Sequence, residues 1–294
     1  MKFEIIAKSK VWLAFSAFLC AVSAGLIFSG GLKFGIDYTG GTLLEFSAEI
    51  SREEIQKTFQ ETVGADFSEK IVATENGFQI RAKEISPEAR ETFLKKLKEK
   101  DADLNLSRAI SVGPTVGAVF KKRAAISLSL AIAAIVLFLA FAFRRTPAGI
   151  SPWKFGFAAI AALTHDILIT TGVFAAIGFA GNAEIDSLFI TALLTVMGFS
   201  VHDTIVVFDR LRENLKGKKS VAKLPEIAEK SVWQTMARSI YTSVSTLIVL
   251  IFLLIFGAPS LFYFVLALTV GISVGTYSSI FLAMPLLVSW CCKK

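Results

Sequence analysis

Six long apolar stretches dominate this chain. Each has about 18 residues or more with few charges, the length that an α-helix needs to cross the hydrocarbon core of a bilayer. Hydrophobic residues make up 54% of the chain and charged residues 19%, so its apolar surface exceeds what one soluble core would bury. The pattern predicts a polytopic α-helical membrane protein. Its predicted spans are residues 11–28, 124–143, 155–180, 185–208, 232–256 and 261–290.

The positions of Lys and Arg predict how these spans are oriented. Basic residues cluster before the first span, after the second and after the fourth, whereas the connections 181–184 and 257–260 contain none. Since Lys and Arg in short connections mark the cytoplasmic side, we expect cytoplasmic termini and a basic cytoplasmic loop at residues 209–231. The net charge of +7 is then a sign of topology. We expect residues 1–30 to be a cytoplasmic N-terminus and an uncleaved first span, because Gly30 to Lys33 is a poor cleavage site.

The long loop at residues 31–123 predicts a soluble domain outside the cytoplasm. Its strand-like and helix-like segments follow the order βαββαβ, the ferredoxin-like α+β plan. Ser51, with Glu53 and Glu54, marks the predicted acidic start of its first helix, and Ser86 is the predicted N-cap of the second. Asn76 and Gly77 form the predicted hairpin turn. It contains no Cys or His, and equal numbers of acidic and basic residues, so the sequence indicates neither an enzyme, nor a metal site, nor nucleic-acid binding. Residues 124–294 then hold the five remaining spans.

One carboxylate, Asp203, lies inside the fourth apolar stretch. Placing an ionised Asp in a spanning helix costs about 2.5–3.5 kcal/mol even on mild insertion scales, so such residues often belong to ion or proton pathways. Arg238 in the fifth span lies at matching depth, about 7–9 Å below the cytoplasmic boundary. With Thr242, Ser245 and Thr246 it forms a polar stripe that we expect to face the bundle interior. The alternative is a buried ion pair that only joins two helices.

A second His-Asp step, His165 and Asp166, lies in the middle of the third span. A metal-dependent phosphohydrolase would need more His and Asp ligands than the chain offers, so no metal centre is predicted. Two interpretations stay open: a polar track with Thr164, Thr170 and Thr171, or a neutral Asp166 hydrogen-bonded to a neighbouring helix. In the last span the small residues predict a face for close helix packing. They are Gly271, Ser273, Gly275 and Ser279.

Five segments, in order along nearly the whole chain, resemble the SecF family of the bacterial SecD/SecF export complexes, which are relatives of the RND transporters. They are 35–46 (GIDYTGGTLLEF), 111–117 (SVGPTVG), 198–214 (GFSVHDTIVVFDRLREN), 234–243 (QTMARSIYTS) and 275–281 (GTYSSIF). The resemblance implies a half bundle whose Asp203 and Arg238 carry proton coupling. It also implies structural roles for Gly40, Gly41, Gly113 and Pro114. The family usually has Asn where this chain has His202, which leaves the proton stoichiometry open.

The same resemblance implies a location and a set of partners. The location is the bacterial inner membrane, and the function is export of unfolded polypeptide driven by the proton motive force, without a cofactor. Its partners would be a SecD-like subunit, the SecYEG translocon, the translocating polypeptide and membrane lipids, with YajC as a further candidate and no nucleic acid. His202, His165, Asp166 and Thr242 are candidates for a secondary polar track. An RND-type small-molecule or ion exporter half and a membrane scaffold without coupling remain the alternative functions.

Overall fold

The computed structural model describes residues 4–64, 69–74, 77–144, 150–180, 183–216 and 223–292. The chain divides into a helical unit, Met1–Lys33 with Ser127–Lys294, and an α+β unit, Phe34–Ile126. In chain order the elements are α1 (Ser9–Leu26), a π-helical segment (Ile27–Gly31), α2 (Ile36–Thr39), β1 (Gly41–Ser47), α3 (Arg52–Val63), β2 (Glu69–Thr74), β3 (Gly77–Ala82), α4 (Pro87–Lys100), β4 (Asn105–Val112), α5 (Pro114–Ala142), α6 (Pro152–Phe179), α7 (Ser187–Leu215), α8 (Leu224–Phe256), a 3₁₀ turn (Pro259–Leu261), α9 (Phe262–Ser278), a second π-helical segment (Ser279–Ala283) and α10 (Met284–Cys292).

Among the residues that the structure describes, six helical stretches are long and apolar enough to cross a membrane, which confirms the predicted number of spans. Three of the helices extend well beyond the apolar limits that the sequence predicts, each by more than one turn. α5 begins at Pro114 and α8 at Leu224, and α7 continues through a charged segment to Leu215. Hydropathy detects only the part of a helix that is apolar, whereas Lys, Arg and Glu in these extensions are themselves good helix formers.

α6, α7 and the last span form the centre of the helical unit. About half of the residues in each are buried within the chain, whereas α1, α5 and α8 are mostly uncovered. α9 packs against α6, α7 and α8, and α1 packs against α6. This arrangement covers one face of the middle of α7 with neighbouring helices and leaves the opposite face uncovered.

Gly271 permits the close approach of α9 to α7. A Cβ atom added at Gly271 would lie 2.3 Å from Cγ2 of Val196, a side chain with little rotameric freedom. We therefore expect Gly271→Ala to destabilise the helical unit by about 1–3 kcal/mol, the usual cost of overpacking. The measurement is the thermal unfolding midpoint of the full chain in detergent. Gly25→Ala is the matched control, since no atom lies within 4 Å of its added Cβ, and equal midpoints for the two variants would contradict the packing role.

The α+β unit contains one four-stranded sheet in the order β2-β3-β1-β4, with every neighbouring pair antiparallel. Alternate residues of β1, Leu44 and Phe46, join a core with Phe59 of α3 and Phe93 of α4. Since alternate side chains of a strand point to one face, both helices cover the same face of the sheet.

The structure confirms the predicted helix start at Ser51 and the predicted N-cap Ser86, and both residues cap their helices. The Ser51 hydroxyl accepts a hydrogen bond from the Glu54 N–H at 3.3 Å, and the Ser86 hydroxyl accepts one from the Ala89 N–H at 3.2 Å. Each cap satisfies one of the free N–H groups in the first turn of its helix. The predicted turn between β2 and β3 includes Asn76, which lies outside the described residues.

Candidate functional site

Asp203 lies in the buried face of α7, with 3% of its surface exposed. The Ser279 hydroxyl, at the start of the second π-helical segment, donates a hydrogen bond to its Oδ2 at 3.4 Å. The Ser239 hydroxyl of α8 lies beside the carboxylate without meeting hydrogen-bond geometry. In the described ranges of the chain, no Lys or Arg forms an ion pair with Asp203. The carboxylate is therefore surrounded by hydroxyl groups inside an apolar helix bundle.

Arg238 does not pair with Asp203 within this chain. It is exposed on α8, as is Thr242 one turn further along, while the next residue after Arg238, Ser239, is fully buried. Over the part of the chain that is described, no carboxylate lies within ion-pair distance of Arg238. The two residues lie on helices that pack together, but the Arg238 side chain is on the uncovered face of α8 whereas Asp203 is buried.

The polar stripe of α8 has a different orientation from the one expected. Thr242 and Ser245 are exposed, and their hydroxyls donate to carbonyls one turn earlier in the same helix. The hydroxyls that face the bundle belong to Ser239 and Ser243, and Ser243 accepts a hydrogen bond from Thr276 at 2.6 Å. α8 carries two polar stripes, and the periodicity alone does not tell which one this chain covers.

The exposed stripe of α8 has a counterpart on α7. Thr191, Thr195 and His202 recur along the uncovered side of α7, directly beside the buried Asp203. Polar side chains are unfavourable against lipid tails, so an uncovered polar stripe in a spanning helix indicates a protein partner or a water-filled space.

Asp166 is the second buried carboxylate, with no exposed surface. Its Oδ1 lies 2.9 Å from Nδ1 of His165, and its Oδ2 accepts hydrogen bonds from Ser200 of α7 at 2.5 Å and Ser278 of α9 at 2.8 Å. Thr170, part of the expected threonine track, instead donates to a backbone carbonyl of its own helix. Two of the three partners, Ser200 and Ser278, thus come from neighbouring helices, whereas His165 belongs to α6 itself.

The secondary polar track is not continuous in the described part of the chain. His202 and Thr242 are exposed, whereas His165 and Asp166 are buried among α1, α6, α7 and α9. The two buried carboxylates are linked instead through Ser278 and Ser279, consecutive residues at the junction between α9 and the π-helical segment. Ser200, Ser239 and Ser278 have no distinctive sequence signal, because a lone Ser in an apolar helix is as often a packing residue.

Gly275 provides space next to this site. A Cβ added there would lie 3.1 Å from Cβ of Ser200 and 3.6 Å from Oδ2 of Asp166. A larger side chain would push Ser200 away from the carboxylate. Gly271 and Gly275 therefore line the contact between α9 and α7, as the small-residue face predicts.

In the α+β unit, Gly40 and Gly41 have a conformation that other residues rarely adopt. Their φ angles are +73° and +131°. A Cβ on Gly40 would lie 3.0 Å from Cα of Pro114, and one on Gly41 would lie 2.7 Å from the Ala82 carbonyl oxygen. The pair thus joins β1 closely to β3 and to the start of α5, next to Gly113.

In the described ranges, no cluster of three or more His, Cys, Asp or Glu could hold a metal ion.

Comparisons with known proteins agree with this architecture. Residues 92–293 match the family described as protein export membrane protein SecD/SecF, C-terminal, and residues 25–49 match the SecD/SecF GG motif, which contains Gly40 and Gly41. The chain is 39% identical over 274 residues to the protein translocase subunit SecF of Thermobaculum terrenum, covering 88% of this chain and 85% of that protein. It is 35% identical to SecF of Sebaldella termitidis, covering 97% and 91%.

A solved structure shares the fold. The crystal structure of SecDF, described as a translocon-associated membrane protein from Thermus thermophilus, superposes with a TM-score of 0.84 at 31% sequence identity. The match covers all of this chain and 39% of the SecDF chain. The chain belongs to the SecD/SecF family of protein export membrane proteins.

Proposed function

We propose that this chain is an accessory subunit of the Sec protein translocase that uses the proton motive force to assist export of unfolded polypeptides. The observation that carries the proposal is the buried Asp203, which lies beside Ser239 and Ser279 and forms no ion pair with a Lys or Arg of the described chain. A buried carboxylate without a permanent counter-ion is suited to gain and lose a proton as its surroundings change. The names of the relatives, SecF and SecDF, support the Sec pathway as the process served.

The proposed partner is a SecD-like subunit. The chain matches 39% of the Thermus thermophilus SecDF chain, and the proposed partner corresponds to the remaining part of SecDF. The uncovered stripes with His202 on α7 and Arg238 on α8 support a helical partner there. Such a partner would cover both stripes, and a change in its position would alter the distance between Arg238 and Asp203. SecYEG, and YajC as a further candidate, would be reached through this complex.

The proposed location is the bacterial inner membrane, with both termini in the cytoplasm. The α+β unit would then lie outside the cytoplasm as a ferredoxin-like module; its βαββαβ order and its antiparallel sheet support this assignment. Its role would be to bind emerging polypeptide, and the subunit would act as a transport component rather than as an enzyme.

The coupling step consists of proton entry to and exit from Asp203. A proton that moves through the membrane potential releases about 2.3 kcal/mol per 100 mV. That free energy is enough to bias two conformations of the complex that differ by a few kcal/mol. Protonation removes the charge of Asp203 and with it the attraction to Arg238, so the two states favour different distances between them.

The test is replacement of a bacterial SecF by this chain together with its SecD-like partner. We expect the intact pair to restore export, and a variant with residues 34–113 replaced by a short Gly-Ser linker, which leaves α5 whole, to lose it, because the polypeptide-binding module is missing. The control is copurification of the linker variant with the partner, which we expect to be retained. Normal export by the linker variant would contradict the role of the α+β unit. An intact pair that assembles but gives no export would contradict the proposed function itself.

A further inference from the structure

His165 and Asp166 form a pair that the proposed coupling step does not use. Both residues are buried, with 4% and 0% of their surfaces exposed, at the centre of the helical unit. Within the described ranges, Asp166 contacts no Lys or Arg, and its one basic partner is the imidazole of His165. The other two partners, Ser200 and Ser278, are neutral hydroxyls.

Charge balance determines how many protons such a pair holds. An isolated negative charge in the apolar interior of a membrane protein is unfavourable. A carboxylate beside a neutral imidazole has a charge of −1, and one additional proton makes the pair neutral. That proton can reside on the imidazole, giving an ion pair, or on the carboxyl group. Since the two groups share a hydrogen bond, this proton belongs to the pair rather than to either residue alone.

The Nε2 atom of His165 distinguishes the two states of the pair. In the loaded state, in which the pair holds the additional proton, Nε2 carries a hydrogen in both arrangements. The reason is that Nδ1 either donates to the carboxylate of an ion pair or accepts from a carboxyl group. In the emptied state Nδ1–H donates to the carboxylate and Nε2 is bare. In this structure Nε2 is buried and makes no hydrogen bond with any described residue. No described residue therefore holds Nε2 in one protonation state.

His165 also lines a groove between α1 and α6. The groove has a volume of about 370 Å³ and its polar residues besides His165 are Ser16, Cys20 and Thr164. Its other lining residues are apolar: Leu13, Ala17, Ala161, Leu168 and Leu282. The groove thus places hydroxyl and thiol groups near the pair on the side of α6 that faces α1.

We propose that His165 and Asp166 are a second proton-binding pair of the helical unit, in which Nε2 of His165 gains a proton on loading and loses it on emptying. Proton uptake changes the charge of the pair from −1 to 0, with no bond broken other than that of the incoming proton to water. The titratable groups that face the pair are Cys20 on α1 and Tyr277 on α9, whose ring centroid lies 6.1 Å from that of His165.

The pair is linked to Asp203 through one turn of helix. Ser278 donates to Asp166 and Ser279 donates to Asp203, at the point where α9 changes to the π-helical segment. A shift of this turn that strengthens one hydrogen bond alters the other. Asp166 and His165 would therefore load and empty in step with Asp203. This coupling rests on the proposed function, whereas proton uptake by the pair does not.

Histidine-selective ¹⁵N NMR tests the pair directly, because the chain contains only two His residues. The sample is the full chain in lipid nanodiscs, labelled with ¹⁵N-histidine, purified with a tag that lacks His and carrying His202→Gln. Between about pH 5 and 9, the range in which imidazoles commonly titrate, we expect the Nε2 signal of His165 to change from the protonated to the bare form. Nδ1 should remain in a hydrogen bond throughout. An Nε2 signal that keeps one form across this range would overturn the proposal.

Two further measurements separate the pair from the proposed function. In Asp203→Asn the titration midpoint of His165 should shift, and an unchanged midpoint would overturn the link through Ser278 and Ser279. In the export assay, Asp166→Asn and His165→Gln should change the pH profile of export, whereas a uniform loss at every pH would indicate a structural role. If Nε2 titrates but export does not depend on the proton motive force, the proton-binding pair stands and the proposed function fails.

Discussion

Asp203→Asn is expected to abolish the part of export that depends on the proton motive force, while the chain stays folded and assembled. Asn has nearly the shape of Asp, and its amide oxygen can still accept the hydrogen bond from Ser279. It cannot gain or lose a proton, so it holds the site in the neutral state. At 100 mV the lost driving force is about 2.3 kcal/mol per proton, which corresponds to a roughly fiftyfold bias between two conformations.

The measurement is export of a reporter protein in the complemented strain, with and without an uncoupler. Asp209→Asn is the matched control, because it makes the same substitution two turns later in α7, where the carboxylate is partly exposed and pairs with Arg212. We expect near-normal export from this control, since an exposed ion pair contributes little to stability. Arg238→Met should lose coupling as Asp203→Asn does. If Asp203→Asn keeps full uncoupler-sensitive export, Asp203 is a structural residue and the coupling step is wrong.

Gly41→Ala is expected to destabilise the α+β unit strongly. A side chain at φ +131° is strained, which alone costs about 1–3 kcal/mol. The added Cβ would in addition lie 2.7 Å from the Ala82 carbonyl oxygen, a backbone atom that cannot turn away. Relief requires that β1 move away from β3 at the end where Thr42 pairs with Ala82. For a unit of this size, each 1 kcal/mol lowers the unfolding temperature by about 4–8 °C.

Hydrogen–deuterium exchange of the full chain localises this effect. We expect faster exchange of the amides in β1 and β3 of Gly41→Ala, with the helical unit unchanged. Gly113→Ala is the control from the same unit, because Gly113 has no left-handed φ and the nearest atom to its added Cβ is Oε1 of Glu84 at 3.4 Å. Equal exchange in the two variants would show that the conformation of Gly41 does not limit the stability of the sheet.

Local features of this protein follow from the sequence alone. Apolar stretches of sufficient length predict the six spans, since a backbone in lipid must satisfy its own hydrogen bonds and a helix does so within one segment. Ser51 and Ser86 predict the starts of α3 and α4, because an N-cap needs only residues within one turn. Asp203 is recognisable for the same reason: the cost of a carboxylate in an apolar stretch does not depend on its neighbours in space.

Only the tertiary structure decides which side chains meet. Arg238 and Ser239 are consecutive, yet one is exposed and the other lies beside Asp203, because the packing of α8 on α7 and α9 selects one of its two polar stripes. Asp166 meets Ser200 and Ser278, which are 34 and 112 residues away along the chain. Helical periodicity defines the faces of a helix, but the direction in which a face points depends on how whole helices pack together, and no local run of residues contains that information.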